Sequence, residues 1–134
     1  MSDTGQATLK GVITRLLAVS GVTSLVSTRI YNDVPQQATF PYILAEISSE
    51  PFSANDFSDM QHRIRVHTFT RVPSQDKALQ IRSAIFSALD RQEANITLDT
   101  GNLVMIHYAG ISDVFKEPDG KTWHAVIEFL ARVN

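Results

Sequence analysis

The sequence predicts an α+β domain: a mostly antiparallel β-sheet with two main helices packed on one face, and a long C-terminal β-hairpin. Three observations carry this. Two segments, near residues 4–20 and 74–90, show the apolar spacing of amphipathic helices. Between and after them lie short β-branched or alternating runs, punctuated by proline and glycine. These runs come in groups rather than one strand per helix, which favours antiparallel pairing over a doubly wound sheet.

Leu9, Val12, Ile13, Leu16 and Leu17 form one stripe on the first helix, and Gly21 stands where a C-terminal glycine would end it. Val22 to Val26 reads as a short helical turn. Arg29-Ile30-Tyr31 is a short strand, and Tyr42-Ile43-Leu44-Ala45-Glu46-Ile47 a second, bounded by Pro41 and Pro51. Ser53 to Asp59 reads as a turn-rich loop. From Met60 to Val72 the chain alternates: Ile64, Val66 and Thr68 point one way, Arg63, Arg65, His67 and Arg71 the other. Ser74 is the expected N-cap of the second helix, with Asp76 at its positive end. Ala78, Ile81, Ile85, Ala88 and Leu89 are its buried stripe. Ile96 to Asp99 is expected as a short strand. Leu103–Lys116 and Thr122–Val133 then make the closing hairpin, turned by Pro118-Asp119-Gly120-Lys121. With both helices on one face, the other face is left open and carries the three arginines.

A chain of 134 residues is one domain, spanning 1–134, and 43% hydrophobic against 19% charged residues suits a folded one. Twelve basic against fourteen acidic residues give a net charge of −2, the wrong balance for gripping a phosphate backbone. Without cysteine there is no disulfide, thiol chemistry or C-x-x-C zinc frame. The polar N-terminus lacks the look of a targeting segment, and no run approaches a membrane span. The expectation is a soluble protein made in a reducing cytosol, with Asn95-Ile96-Thr97 a chance glycosylation match.

Chemical motifs are sparse. The glycines at 5, 11, 21, 101, 110 and 120 form no phosphate loop and no nucleophile elbow. None of His62, His67, His107 and His124 lies on a predicted helix at ligand spacing. His107 and His124 could face each other across the last hairpin with Glu128 near, but sheet-face histidines are the simpler reading. Ser112, Asp113 and His107 supply triad residue types without a positioning motif. Glu117 and Asp119 sit on a hairpin tip, where water would keep them ordinary. Arg63, Arg65 and Phe69 on one strand face could bind single-stranded nucleic acid, but the net charge and the lack of a second exposed aromatic favour a protein contact. Trp123 alternates with Ala125, Ile127 and Phe129, as a core residue would.

Charge is segregated. Residues 33–59 hold Asp33, Glu46, Glu50, Asp56 and Asp59 and no lysine or arginine. Residues 60–91 hold Arg63, Arg65, Arg71, Lys77, Arg82 and Arg91 against Asp76 and Asp90. These stretches either pair within the fold or meet between copies. The segment Pro51 to Asp59 also carries Phe52 and Phe57, which need cover from the chain's own sheet or from a partner. The expected contacts with a neighbouring subunit or a protein partner are Phe52, Asp56, Phe57, Asp59, Arg63, Arg65, Arg71 and Asp119.

These residues, taken in order, resemble a family. The N-terminal helix is followed by Val22-Thr23-Ser24-Leu25-Val26, Arg29-Ile30-Tyr31, Phe40-Pro41-Tyr42 and Ile47-Ser48-Ser49-Glu50. Then come Arg63-Ile64-Arg65-Val66-His67, Ala84-Ile85-Phe86-Ser87-Ala88-Leu89-Asp90 and a hairpin through Asp119-Gly120. Over nearly its whole length the chain is similar to the tail completion, or tail terminator, proteins of long-tailed (siphovirus-like) bacteriophages and of phage-derived gene transfer particles. The resemblance implies a hexameric ring on the head-proximal end of the tail tube. That ring stops tube growth and docks the neck, or head-completion, protein while DNA passes through its lumen. It implies no catalytic residue, cofactor or membrane, and a place in the virion neck after assembly in the bacterial cytoplasm. A head-completion or tube protein, or a small ligand-binding or enzymatic domain, remains the alternative. Elemental analysis of purified protein should find no stoichiometric transition metal; one zinc per chain would contradict this reading.

Overall fold

The alternation of the long central strand fixes the architecture. The structure, a computed structural model, describes the backbone of residues 3–53 and 56–134; of residues 53 and 56–58 it describes the backbone alone. Helices α1 (Gly5–Ala18) and α2 (Ser20–Val26) lead into β1 (Ile30–Tyr31), β2 (Tyr42–Ser53) and β3 (Asp56–Thr70). Helix α3 (Asp76–Leu89) and a 3-10 turn (Glu93–Asn95) precede β4 (Leu103–Lys116) and β5 (Trp123–Val133). The sheet order is β1-β2-β3-β5-β4. Only the short β1–β2 pair is parallel, so this is the α+β, mostly antiparallel fold that the sequence predicts.

The inner face carries the core. Ile43, Ile64, Val66, Ile127 and Phe129 from the strands meet Val12 and Leu16 of α1 and Ile81, Ile85 and Leu89 of α3. Each such side chain contributes about 1.5–3 kcal/mol by leaving water. The α3 stripe is buried as its spacing predicts. The N-cap of α3 is Gln75 rather than the expected Ser74, whose hydroxyl accepts the Asp76 N–H (3.1 Å) from one position earlier. Gly120, at φ 75°, supplies the left-handed residue of the closing turn.

Several expectations are corrected. Gly21 lies inside α2, and α1 ends at Val19, which is extended. The buried side of α1 is Thr8, Gly11, Val12 and Leu16, while Leu17 is exposed. Residues 96–99 form no strand; Ile96 and Leu98 pack on the core directly. The described residues of the expected loop from Ser53 to Asp59, namely 53 and 56–59, are strand instead. Pairing runs on through Pro51↔Met60 to Ser53↔Asp56, with an irregularity between Pro51 and Ser53. The β2–β3 hairpin thus forms an arm that overhangs β5, whose Val133 stands opposite Met60. Residues 54 and 55, at the tip of the expected loop, lie outside the described residues.

One histidine belongs to the inner face. His62 is fully buried; its Nε2 lies 2.8 Å from Thr4 Oγ1 and its Nδ1 2.6 Å from Ser49 Oγ. Burial pushes its pKa below 6.5, opposed by the nearby Asp3 carboxylate. The unfolded chain therefore takes up this proton first as pH falls. Stability is complete above pH 6.5 and declines as pH drops through the folded value. Urea unfolding should show wild-type protein losing stability below pH 6.5, and His62→Gln, though less stable at neutral pH, losing less of it.

Candidate functional site

The helix-free face of the sheet gathers the sequence's polar and aromatic side chains. Register places Glu46 opposite Arg65 and Arg65 opposite Glu128, and it places Tyr42 opposite Phe69 and Phe69 opposite His124. At one end is a charge cluster. Glu128 is 7% exposed, and its carboxylate takes Arg63 Nη1 at 3.2 Å and Arg65 Nε at 3.4 Å. A buried carboxylate is tolerated when its oxygens are matched by donors in this way. Beside it a depression is lined by Ser48, Glu50, Gln61, Arg63 and Leu130. Its mixed charge suits contact with a polar protein surface rather than enclosure of an apolar ligand.

At the other end is a row of rings. Tyr42 stacks on Phe69 (5.0 Å), Phe69 on His124 (4.3 Å), and Phe115 tilts against His124 (4.7 Å). His124 faces Phe115 and His67 here. His107 pairs with Leu130, so the expected His107–His124–Glu128 grouping does not form. The turn sets His124 opposite Phe115, eight residues along β4 from His107; between them a bulge leaves Ala109, Gly110 and Ile111 opposite Glu128 alone. Gly110, at φ 82°, permits it. Trp123 is only half-buried, with the Lys116 ammonium 5.0 Å from its ring centroid. Among the described residues, no three His, Asp or Glu side chains are arranged to hold a metal ion. No helix among them is long and apolar enough to cross a membrane.

The expected contact residues fall in three places. Phe52, on the arm, is 51% exposed and lies under the Arg132 guanidinium, 4.0 Å from its ring centroid. Arg132 also grips Asp59 through Nε at 3.1 Å. Arg63 and Arg65 lie mid-sheet on Glu128. Arg71 reaches Thr122 Oγ1 (3.0 Å) and the Asp119 carboxylate (3.5 Å), and stands over Phe40. The side chains of Asp56 and Phe57 lie outside the described residues. Asp119 is not an ordinary tip carboxylate. The Thr122 hydroxyl donates to it at 2.6 Å, the Lys121 and Thr122 N–H groups add to this, and its pKa is lowered to about 2. Sequence reasoning missed Glu128 and Arg132 as hubs. Their alternation with Leu130 on the last strand marks them as outward, but their partners come from a strand far away in the chain.

The sheet's edges differ. On β4, Asp90 Oδ1 accepts the Tyr108 N–H (2.8 Å), Glu93 Oε1 accepts the Ile106 N–H (3.3 Å), and the Arg91 N–H donates to Ile106 O (2.8 Å). Arg82 donates to Asp113 O at 3.0 Å. This edge is covered at Ile106, Tyr108 and Asp113 by the chain's own segments, a partial guard against strand-to-strand aggregation. Among the described residues β1 covers β2 only at Ile43 and Leu44, so the arm's outer edge stays open. Asp90→Ala should strand the Tyr108 N–H, lowering stability by about 1–2 kcal/mol in urea unfolding and raising self-association in light scattering.

The chain matches the family model described as tail completion protein gp17 over residues 10–134. Solved structures share its fold. One is a chain in the virion of a native gene transfer agent particle, 21% identical, covering 96% of this chain and 95% of that one at a TM-score of 0.82. No curated protein matches.

Proposed function

Because the chain belongs to the tail completion protein gp17 family, a structural component of phage-type tails, we propose that it is a tail terminator. It forms a sixfold ring on the head-proximal end of the tail tube, ends tube growth and offers the surface to which the head-completion protein docks. DNA passes through the ring without sequence-specific contact, and the part is structural rather than catalytic. The observation that carries this reading is the family match over residues 10–134. The end-to-end likeness in fold to a chain of a gene transfer agent virion supports it.

The open face and arm supply the means. Phe52 is half-exposed on an arm that overhangs the sheet, and its outer strand edge is unpaired beyond Leu44 among the described residues. Such an arm can reach a neighbouring copy or the tube, with Asp56, Phe57 and Asp59 near its tip. Arg63, Arg65, Arg71 and Asp119 lie on the receiving side, and their partial pairing makes the contact weaken as salt rises.

Electron microscopy tests this. An uncapped tube keeps presenting the surface that binds the next tube ring, so a deletion should leave full heads beside free, overlong tails. Protein carrying a label should mark one end of each tail. Label scattered along tails would make it a tube protein, and normal tails beside empty heads would give it a packaging role. Phe52→Ser should keep the fold yet reduce the number of joined particles.

A further inference from the structure

The short β1 pairing reveals which way the backbone groups of β2 point. The Ile43 N–H donates to Arg29 O at 2.9 Å, so it faces away from β3, toward the outer edge. Strand residues alternate in this respect, and the register with β3 runs unbroken from Tyr42 to Pro51. Ile47 and Ser49 therefore share the direction of Ile43. Pairing with β1 stops at Leu44, and neither N–H meets an acceptor among the described residues. Pro51, next in the series, has no N–H to offer, so an edge strand holds a proline there without losing a bond to β3. The row that β1 opens stays open beside Ile47 and Ser49.

The two sides of that row differ. On the helix-free side stand the Glu46 carboxylate, 53% exposed and bonded to His67, and the Glu50 carboxylate, 3.5 Å from the Gln61 side-chain amide. No lysine or arginine pairs with either among the described residues. On the helix side, Gly5 at the start of α1 stands so close that an added Cβ would lie 3.3 Å from Ser49 Oγ. The next residue, Gln6, opens a groove lined also by Leu9, Ile13, Ile30 and Asp33. A strand laid in this row turns alternate side chains toward the carboxylates and toward the aliphatic wall of the groove.

We propose that the outer edge of β2 accepts an extended segment of a partner protein, one with lysine or arginine at alternate positions and aliphatic residues between them. Main-chain bonds at Ile47 and Ser49 hold the segment, and Glu46 and Glu50 select it by charge. A second copy's β2 is the wrong occupant, because two such edges laid antiparallel would crowd four glutamates along the seam. This chain's own alternating basic run, Arg63 to His67, is fixed in mid-sheet between β2 and β5. The proposal gives the arm's contact a chemistry, and it rests on the reading of the arm as a contact element.

The test uses the full chain, labelled with nitrogen-15, and two short synthetic peptides of equal composition. One alternates lysine with valine; the other carries them in separate blocks. Saturating alternating peptide should slow hydrogen exchange of the Ile47 and Ser49 amides about tenfold, and the block peptide should leave both fast. The Glu46 and Ser48 amides, which face β3, should not change. Glu46→Lys together with Glu50→Lys should transfer the protection to an alternating glutamate–valine peptide. No protection, or equal protection by the block peptide, would overturn the proposal. So would slow exchange at Ile47 and Ser49 in the protein alone as its concentration rises, which would make the edge a contact between copies. The wild-type exchange decides the matter even if the variant folds poorly. Label at one end of each tail with no protection here would keep the terminator role and remove the strand partner.

Discussion

Everything on this molecule's outer face is inherited from the register of β3. That strand is paired along Met60–Thr70 with β5 and along most of its length with β2. Ile64 and Val66 must meet the helices, so Arg63, Arg65, His67 and Phe69 must face away. A slip by one residue would drive the arginines under α1 and α3 and lift the isoleucine and valine into water. The cost of that exchange, several buried apolar side chains at once, is what holds Arg65 against Glu128 and Phe69 against His124. The polar arrangement does not choose the register; the core chooses it, and the polar groups are placed to profit.

How much of this was legible in the sequence depended on distance along the chain. The α3 stripe, the alternation of β3 and the Pro118–Lys121 turn are local, and each appears in the structure where its spacing puts it. The inner side of α1 was harder, because small residues mark it. Gly11 lies so close to residues 96–98 that an added Cβ would stand 2.6 Å from Leu98, and a search for large apolar residues passes over such a contact. The same packing keeps Ile96 and Leu98 out of the sheet. Pro51 read as a strand end, yet an edge position and a neighbouring irregularity let the strand continue through it. For the candidate site, the arginines and Phe52 were legible as exposed. The partners were not: β5 pairs β3 only after α3 and β4 have intervened, and the register of that pairing, not the hairpin alone, brings His67 beside His124.

The open face is exposed without being loose. Glu128 is buried by two arginines, Asp59 is held by Arg132, and the rings from Tyr42 to Phe115 pack against one another. Of the charges segregated along the sequence, Arg63, Arg65, Arg71 and Asp59 are paired within the fold, with Glu128, Asp119 and Arg132 of the closing hairpin rather than with one another. Ion pairs this exposed add little to stability. Their effect is to fix long side chains that would otherwise be mobile, and a surface already ordered loses less entropy when a partner docks on it.

The two sheet edges carry that reasoning into assembly. A closed ring built from identical copies uses one patch against a different patch, and such head-to-tail contacts must be confined to the intended pair or they run on into filaments. Strand edges are the least selective contacts a sheet offers, since backbone groups pair with any extended chain. Here the β4 edge is occupied by Asp90, Arg91 and Glu93 of the same chain, at the expense of holding Arg91 in the left-handed region at φ 57°. The arm's outer edge is open beyond Leu44 among the described residues. In the proposed ring, an open edge on the arm facing a side-chain-rich receiving surface, with the β4 edge covered at its middle, is an asymmetry that favours one neighbour on either side over a sheet that grows without limit.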